Sequence, residues 1–193
     1  MNKTTKNYKN FYYPPGGILV WIIIFLEILT FGMAIIAMSY NAQEEIKIFN
    51  ESRLKLNNLI GVINTFILLT SGFFMAVSVN YAKKNNHKKF NLYLKITMLL
   101  GVFFLVLKSY EYFEKLSHNI YLETNTFFTY YWLLTGFHYL HVLIGLFILL
   151  AIYFNKDKNN LTKNLFDIEA SAAFWHMCDL IWLILFPTLY LIF

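Results

Sequence analysis

Five apolar stretches, each long enough to cross a bilayer as a helix, occupy most of this 193-residue chain, and four of them carry ionisable residues well inside their ends. A crossing needs about 20 mainly apolar residues, and the sequence offers such runs at roughly 18–40, 59–81, 91–113, 127–154 and 172–193. Charged residues make up 14% of the chain, against roughly 25% in soluble domains. These runs leave no segment large enough for a soluble domain. The sequence therefore predicts an all-α fold: a single membrane domain over residues 1–193, built as a polytopic five-transmembrane-helix bundle.

The net charge of +5 follows the alternation of loops and is not a nucleic-acid footprint. Ten basic residues fall on one side of the expected membrane: Lys3, Lys6, Lys9, Lys83, Lys84, Lys88, Lys89, Lys156, Lys158 and Lys163. Four fall on the other: Lys47, Arg53, Lys55 and Lys115. Basic loops stay in the cytoplasm, so the expectation is a cytoplasmic N-terminus and an extracytoplasmic C-terminus. The basic loop Lys83–Lys89 also suits anionic phospholipid head groups. The segment before Ile18 is polar and aromatic and no Ala-x-Ala-like site follows it, so the first run is expected to be a retained helix. The first loop, about Asn41 to Asn58, is read as a solvated linker with room for a short helix. Asp167 and Glu169 are expected just before the last helix, and Pro187 is expected to kink it.

The buried ionisable residues are the functional candidates: Glu27, Lys108, Glu111, His138, His141, His176 and Asp179. Charges at membrane depth are costly and usually face a protein interior or a path. Glu27 has no basic neighbour one turn away on its own helix. It is either a neutral acid hydrogen-bonded to another helix or a participant in proton handling. Lys108 and Glu111 are three apart and share a face, continued by Glu114. They form a structural pair toward the outer end of the third run, where lysine can snorkel, or a proton or partner site. His138 and His141 are three apart on a long apolar helix. With His176 and Asp179 they suggest an interhelical hydrogen-bond network of neutral imidazoles, one oriented by the carboxylate. A zinc or copper site wants three or four ligands, so no metal, cofactor-binding or catalytic residue is assigned. Cys178 reads as a small buried hydrophobe. The chain lacks a P-loop, a dinucleotide fingerprint, a Cys-x-x-Cys-His attachment and a nucleophile elbow. It reads as a non-catalytic part of something.

Thr135-Gly136-Phe137-His138-Tyr139-Leu140-His141-Val142-Leu143-Ile144-Gly145 resembles the characteristic helix of the subunit III family of haem–copper respiratory oxidases. Phe174-Trp175-His176-Met177-Cys178-Asp179-Leu180-Ile181-Trp182 is similar to that family's Trp-His-x-x-Asp-x-x-Trp segment. Pro15-Gly16, Trp21 and Phe25-Leu26-Glu27 resemble the first helix, with Glu27 at the family's buried glutamate. Asn64-Thr65 with Leu69-Thr70-Ser71, and Glu111-Tyr112, match the next two helices. All five runs take part, in the family's order.

The resemblance implies the short five-helix bacterial form, in the cytoplasmic (inner) membrane. It implies a chain without haem or copper of its own, packed beside subunit I of a cytochrome c or quinol oxidase. Haem and copper belong to subunits I and II. The implied role is accessory: supporting proton uptake and turnover stability of subunit I and lining a lipid-filled cleft that gives oxygen access. Phe186-Pro187, Leu189-Tyr190, Tyr130-Tyr131 and Lys108 resemble instead the accessory protein of bacterial nitric oxide reductases, a branch of the same superfamily whose partner is the reductase large subunit. A small stand-alone transporter is the third reading, although no internal repeat or broken helix pair is visible. The sequence leaves the electron donor and the partner's substrate open.

Overall fold

The computed structural model describes residues 14–157 and 160–192. Lys3, Lys6, Lys9 and Lys158, which count toward the basic bias, lie outside the described residues. Six α-helices follow in order: α1 (Ile18–Glu44), α2 (Ile46–Arg53), α3 (Asn58–Lys83), α4 (His87–Ser117), α5 (Thr126–Asn155) and α6 (Leu165–Tyr190). A 3-10 turn, Leu161–Asn164, leads into α6. Among the described residues there is no strand. Five of the helices are long and apolar enough to cross a membrane. The 27 residues of α1 reach roughly 40 Å at 1.5 Å per residue, more than the ~30 Å hydrocarbon layer. The helices therefore run past their apolar stretches into the head-group zone, where hydropathy no longer marks them.

Local chemistry sets the ends. Gly16 and Gly17 take left-handed φ values of 76° and 87°. At Gly16 a Cβ would stand 2.5 Å from the Cα of Ala170, so the start of α1 lies directly on α6. Asparagine caps three membrane helices. Asn57 accepts from the Leu59 amide (3.1 Å), Asn86 from Lys89 (3.2 Å) and Asn125 from Phe128 (2.9 Å), each pairing an amide that a helix start leaves without a partner.

The first loop departs from its reading as a linker. It contains α2, whose Phe49 is fully buried against Phe127, ring centroids 5.5 Å apart. Asn125 donates to the Ser52 hydroxyl (2.8 Å) and Arg53 to the Tyr190 carbonyl (3.4 Å), so the short helix is tied to α5 and α6. The start of the last helix also departs from expectation. It begins at Leu165, so Asp167 sits in its first turn and Glu169 lies within it, paired with Lys83 at 2.8 Å. Helix α6 continues through Pro187 to Tyr190.

α3 and α4 pack as an antiparallel pair through small residues. Ser71 donates to the Thr97 carbonyl (3.0 Å) and Ser78 to that of Phe90 (3.3 Å), close approaches that side chains of this size permit. α6 fills the centre: 61% of its most apolar stretch is buried, against 11% for α1. Trp175 of α6 is fully buried and donates to Ser71 (3.1 Å); Trp182 donates to Thr65 (3.0 Å). The bundle is thus a tight α3–α6 core with α1 leaning on it from outside.

Candidate functional site

Six of the seven polar candidates fall into three separate places. The first is built on α4, where the three-residue spacing of Lys108 and Glu111 puts both on the face turned to α5 and α6. Both are fully buried. Lys108 Nζ donates to Glu111 Oε2 (3.1 Å), to the Tyr131 hydroxyl (3.2 Å) and to the Tyr190 hydroxyl (2.8 Å). The two hydroxyls donate in turn to Glu111 Oε1, at 2.8 and 2.6 Å. An ammonium has three protons to give and all are placed; both phenolic protons are placed as well. The rings of Tyr131, Tyr112, Trp182 and Tyr190 stand 4.8–5.5 Å from Nζ, within cation–π range. The pair does not snorkel to the rim, as its place on the helix suggested. The ring cage and the two hydroxyls replace water, so the ammonium has no reason to reach for solvent. Glu114, expected to extend this face, is half-buried and outside the circuit. Lys115 takes that place, 2% exposed and donating to the Lys55 carbonyl at 2.7 Å.

The second place joins α1 to α5. His141 Nε2 stands 3.3 Å from Glu27 Oε2. His141 Nδ1 lies 2.8 Å from the Phe137 carbonyl, which can only accept, so Nδ1 carries a proton. Nε2 is then the ring nitrogen turned to the Glu27 carboxyl. Among the described residues Glu27 Oε2 has no aligned hydrogen bond, and its side chain is 23% exposed against 10% for His141. Phe31 and Phe137 pack edge-on to the imidazole at 5.9 and 4.9 Å. Nearer the opposite end of α1, Asn41 donates to Tyr130 at 2.9 Å.

The third place is on α6. His176 Nδ1 and Asp179 Oδ2 are 3.3 Å apart. The Asp179 carboxylate rests on Gly72 of α3, where an added Cβ would collide with it. His138 belongs to none of the three. It is 1% exposed, stacked on Trp182 at 5.2 Å and edge-on to Phe104 at 5.8 Å. Neither of its ring nitrogens has a hydrogen-bond partner among the described residues, and neither polar atom of the buried Asn64 has one. The single histidine network expected from sequence does not form. Three residues leave an offset of about 60° around a helix, and at this packing that offset turns His141 toward α1 and His138 into the core between α4 and α6. Among the described residues no group of three or more His, Cys, Asp or Glu could hold a metal ion.

Sequence reasoning missed Tyr131 and Tyr190 as members of the Lys108 circuit. The available signal was a pair of tyrosines in apolar helices at the same expected depth as a lysine and a glutamate. A buried phenol seeks a polar partner.

A family model described as cytochrome c oxidase subunit III matches residues 48–192. The chain is 39% identical over 135 residues to cytochrome c oxidase subunit 3 of Drosophila melanogaster, covering 68% of this chain and 49% of that protein. Against the Spodoptera frugiperda protein of the same name the identity is 36% over 135 residues, covering 68% and 88%. Against that of Loxodonta africana it is 38%, covering 68% and 49%. With the exception of the Spodoptera protein, the chain spans about half the length of these relatives. Six of the seven candidate residues lie inside the family match; Glu27, on α1, lies before it.

Proposed function

From the premise that this chain belongs to the cytochrome c oxidase subunit III family, we propose that it is a non-catalytic membrane subunit of a haem–copper respiratory oxidase. The observation that carries this reading is the family match from α2 to the end of α6. Its partners are subunits I and II, which hold the haem and copper; this chain binds neither. A subunit of this kind acts on its partner through packing, lipid or proton supply. Its loss should leave the initial rate nearly intact and hasten the decay of activity over many turnovers. The complex is bacterial and sits in the cytoplasmic membrane, with the N-terminus inside. The ten-to-four basic bias supports that orientation, and a reporter fused after Phe193 should be active only outside the cytoplasm.

A second reading has one specific observation in its favour. Lys108, Tyr131 and Tyr190, which carry much of the resemblance to the accessory protein of nitric oxide reductases, sit together in one hydrogen-bonded circuit. In this chain the three form one unit around Glu111. Purifying the chain from native membrane and identifying what accompanies it decides between the two. A haem–copper subunit I supports the first reading, a nitric oxide reductase large subunit the second, and a chain that purifies alone contradicts both.

Within either complex, Glu27 is the residue proposed to bear on the partner's proton supply. It is held by one imidazole and lies on the least buried helix, whereas the Lys108 circuit has no proton position open.

A further inference from the structure

Between α1, α3 and α6 lies a cavity of about 460 Å³, inside the roughly 300–1,000 Å³ typical of small-molecule sites. Its walls are mainly apolar, with Ile24 and Ile28 on α1, Val79 on α3 and Leu180 on α6. Lys83 and Glu169, paired at 2.8 Å, stand at one end, near Trp21. His176 is the polar side chain further in, seven residues beyond Glu169 on the same face of α6, roughly 10 Å along the axis. Its side chain is 44% exposed, although most of the residues lining the cavity with it are apolar.

The imidazole is also oriented. Its Nδ1 faces Asp179, whose carboxylate is buried and seated in the notch at Gly72. Nε2 is the ring nitrogen left to a ligand, and His176 lines the cavity. A ring nitrogen left in hydrocarbon without a partner is costly, and an acyl chain has nothing to offer it. The occupant that satisfies this site is lipophilic and carries a carbonyl or hydroxyl at the depth of His176. We propose that this cavity binds the head group of a membrane quinone or quinol, with His176 hydrogen-bonded to a ring oxygen and held in position by Asp179. Binding alone is assigned; the site performs no redox step. The assignment holds for either partner enzyme.

The test uses the complex as purified from native membrane and a short-tailed azidoquinone as probe. After photolysis, labelled peptides are mapped by mass spectrometry. The expected label falls on α1, α3 and α6 around the cavity. Excess decylubiquinone should suppress it, and an equal excess of phosphatidylethanolamine should not. His176→Leu should lower labelling about tenfold, the loss of one hydrogen bond, with partial recovery in His176→Gln. Ala76→Phe, which fills the cavity without touching a polar group, should abolish the label and decides the matter if His176→Leu does not assemble. Label scattered over the lipid-facing surface overturns the proposal, as does label unchanged in these variants. Equal competition by phospholipid would make the cavity an acyl-chain site instead.

Discussion

Glu27 and Glu111 are both carboxylates carried into apolar helices, and their surroundings differ in how many proton positions are left. Glu111 accepts from an ammonium and two phenols and is fully buried. Every donor around it is committed. Glu27 faces a single imidazole nitrogen at 3.3 Å, keeps 23% of its side chain exposed, and sits on the helix with the least buried surface. Cavities of about 220 and 90 Å³ line other parts of the same helix. The same residue type is therefore a lock in one place and an adjustable contact in the other. What separates the two is the number of donors the neighbouring helices bring, which the depth of each residue in its own helix does not report.

The largest effect that should break this contrast is loss of the ammonium. Lys108→Met leaves Glu111 buried without its countercharge and should destabilise the chain by about 3–5 kcal/mol, the cost of breaking a buried pair. Thermal unfolding in detergent measures it. The double variant Lys108→Met/Glu111→Met should recover much of the loss, because removing both charges leaves none unpaired. If the double variant were as unstable as the single one, the cage and not the charge would be the source of stability.

A smaller loss is expected at Gly72. Gly72→Ala forces the new methyl against the Asp179 carboxylate and should cost about 1–3 kcal/mol, as overpacking does. The companion Gly72→Ala/Asp179→Ala removes the collision and should regain part of it. Unfolding that is unchanged in Gly72→Ala would mean the α3–α6 contact yields freely. Tyr190→Phe belongs to the same range. It deletes one phenol that links Lys108 to Glu111, at about 1–3 kcal/mol for a buried group left without its partner.

The smallest effect is expected at Glu27. Glu27→Gln keeps shape and most hydrogen bonding, so stability should change by less than about 0.5 kcal/mol, as at sites outside the buried networks. The partner enzyme's initial turnover should stay within about twofold of its normal rate, with less than about 0.4 kcal/mol of barrier involved. Glu27→Ala removes both features and should loosen α1 further. Abolished turnover in Glu27→Gln, with the complex intact and its haem content full, would make Glu27 an obligatory proton carrier.

Hydropathy made the five crossing helices legible, because apolar length is a direct requirement of the bilayer. The family resemblance was legible too, in the His138–His141 and His176–Asp179 segments. Hydropathy did not reveal α2: its helix is polar, short and held by Phe49 and Arg53 against distant residues. The candidate residues were all visible as ionisable groups out of place, but their grouping was not. Sequence spacing relates residues on one helix, as with Lys108 and Glu111 or His176 and Asp179. It says nothing of the rotation of one helix against another, which sends His141 to Glu27 and leaves His138 against Trp182.

The contrast between the two carboxylates is tested most directly by one measurement: the unfolding midpoints of Glu111→Gln and Glu27→Gln, taken side by side on the full chain in the same detergent. At Glu111 an amide sets an N–H against the Lys108 ammonium or takes an acceptor from the phenols, and a circuit with no spare position cannot adjust. At Glu27 the amide can still meet His141. With about 2–4 °C of midpoint per kcal/mol for a chain of this size, Glu111→Gln should lower the midpoint by at least about 5 °C and Glu27→Gln by less than about 2 °C. Equal shifts, or a larger one at Glu27, would contradict the account.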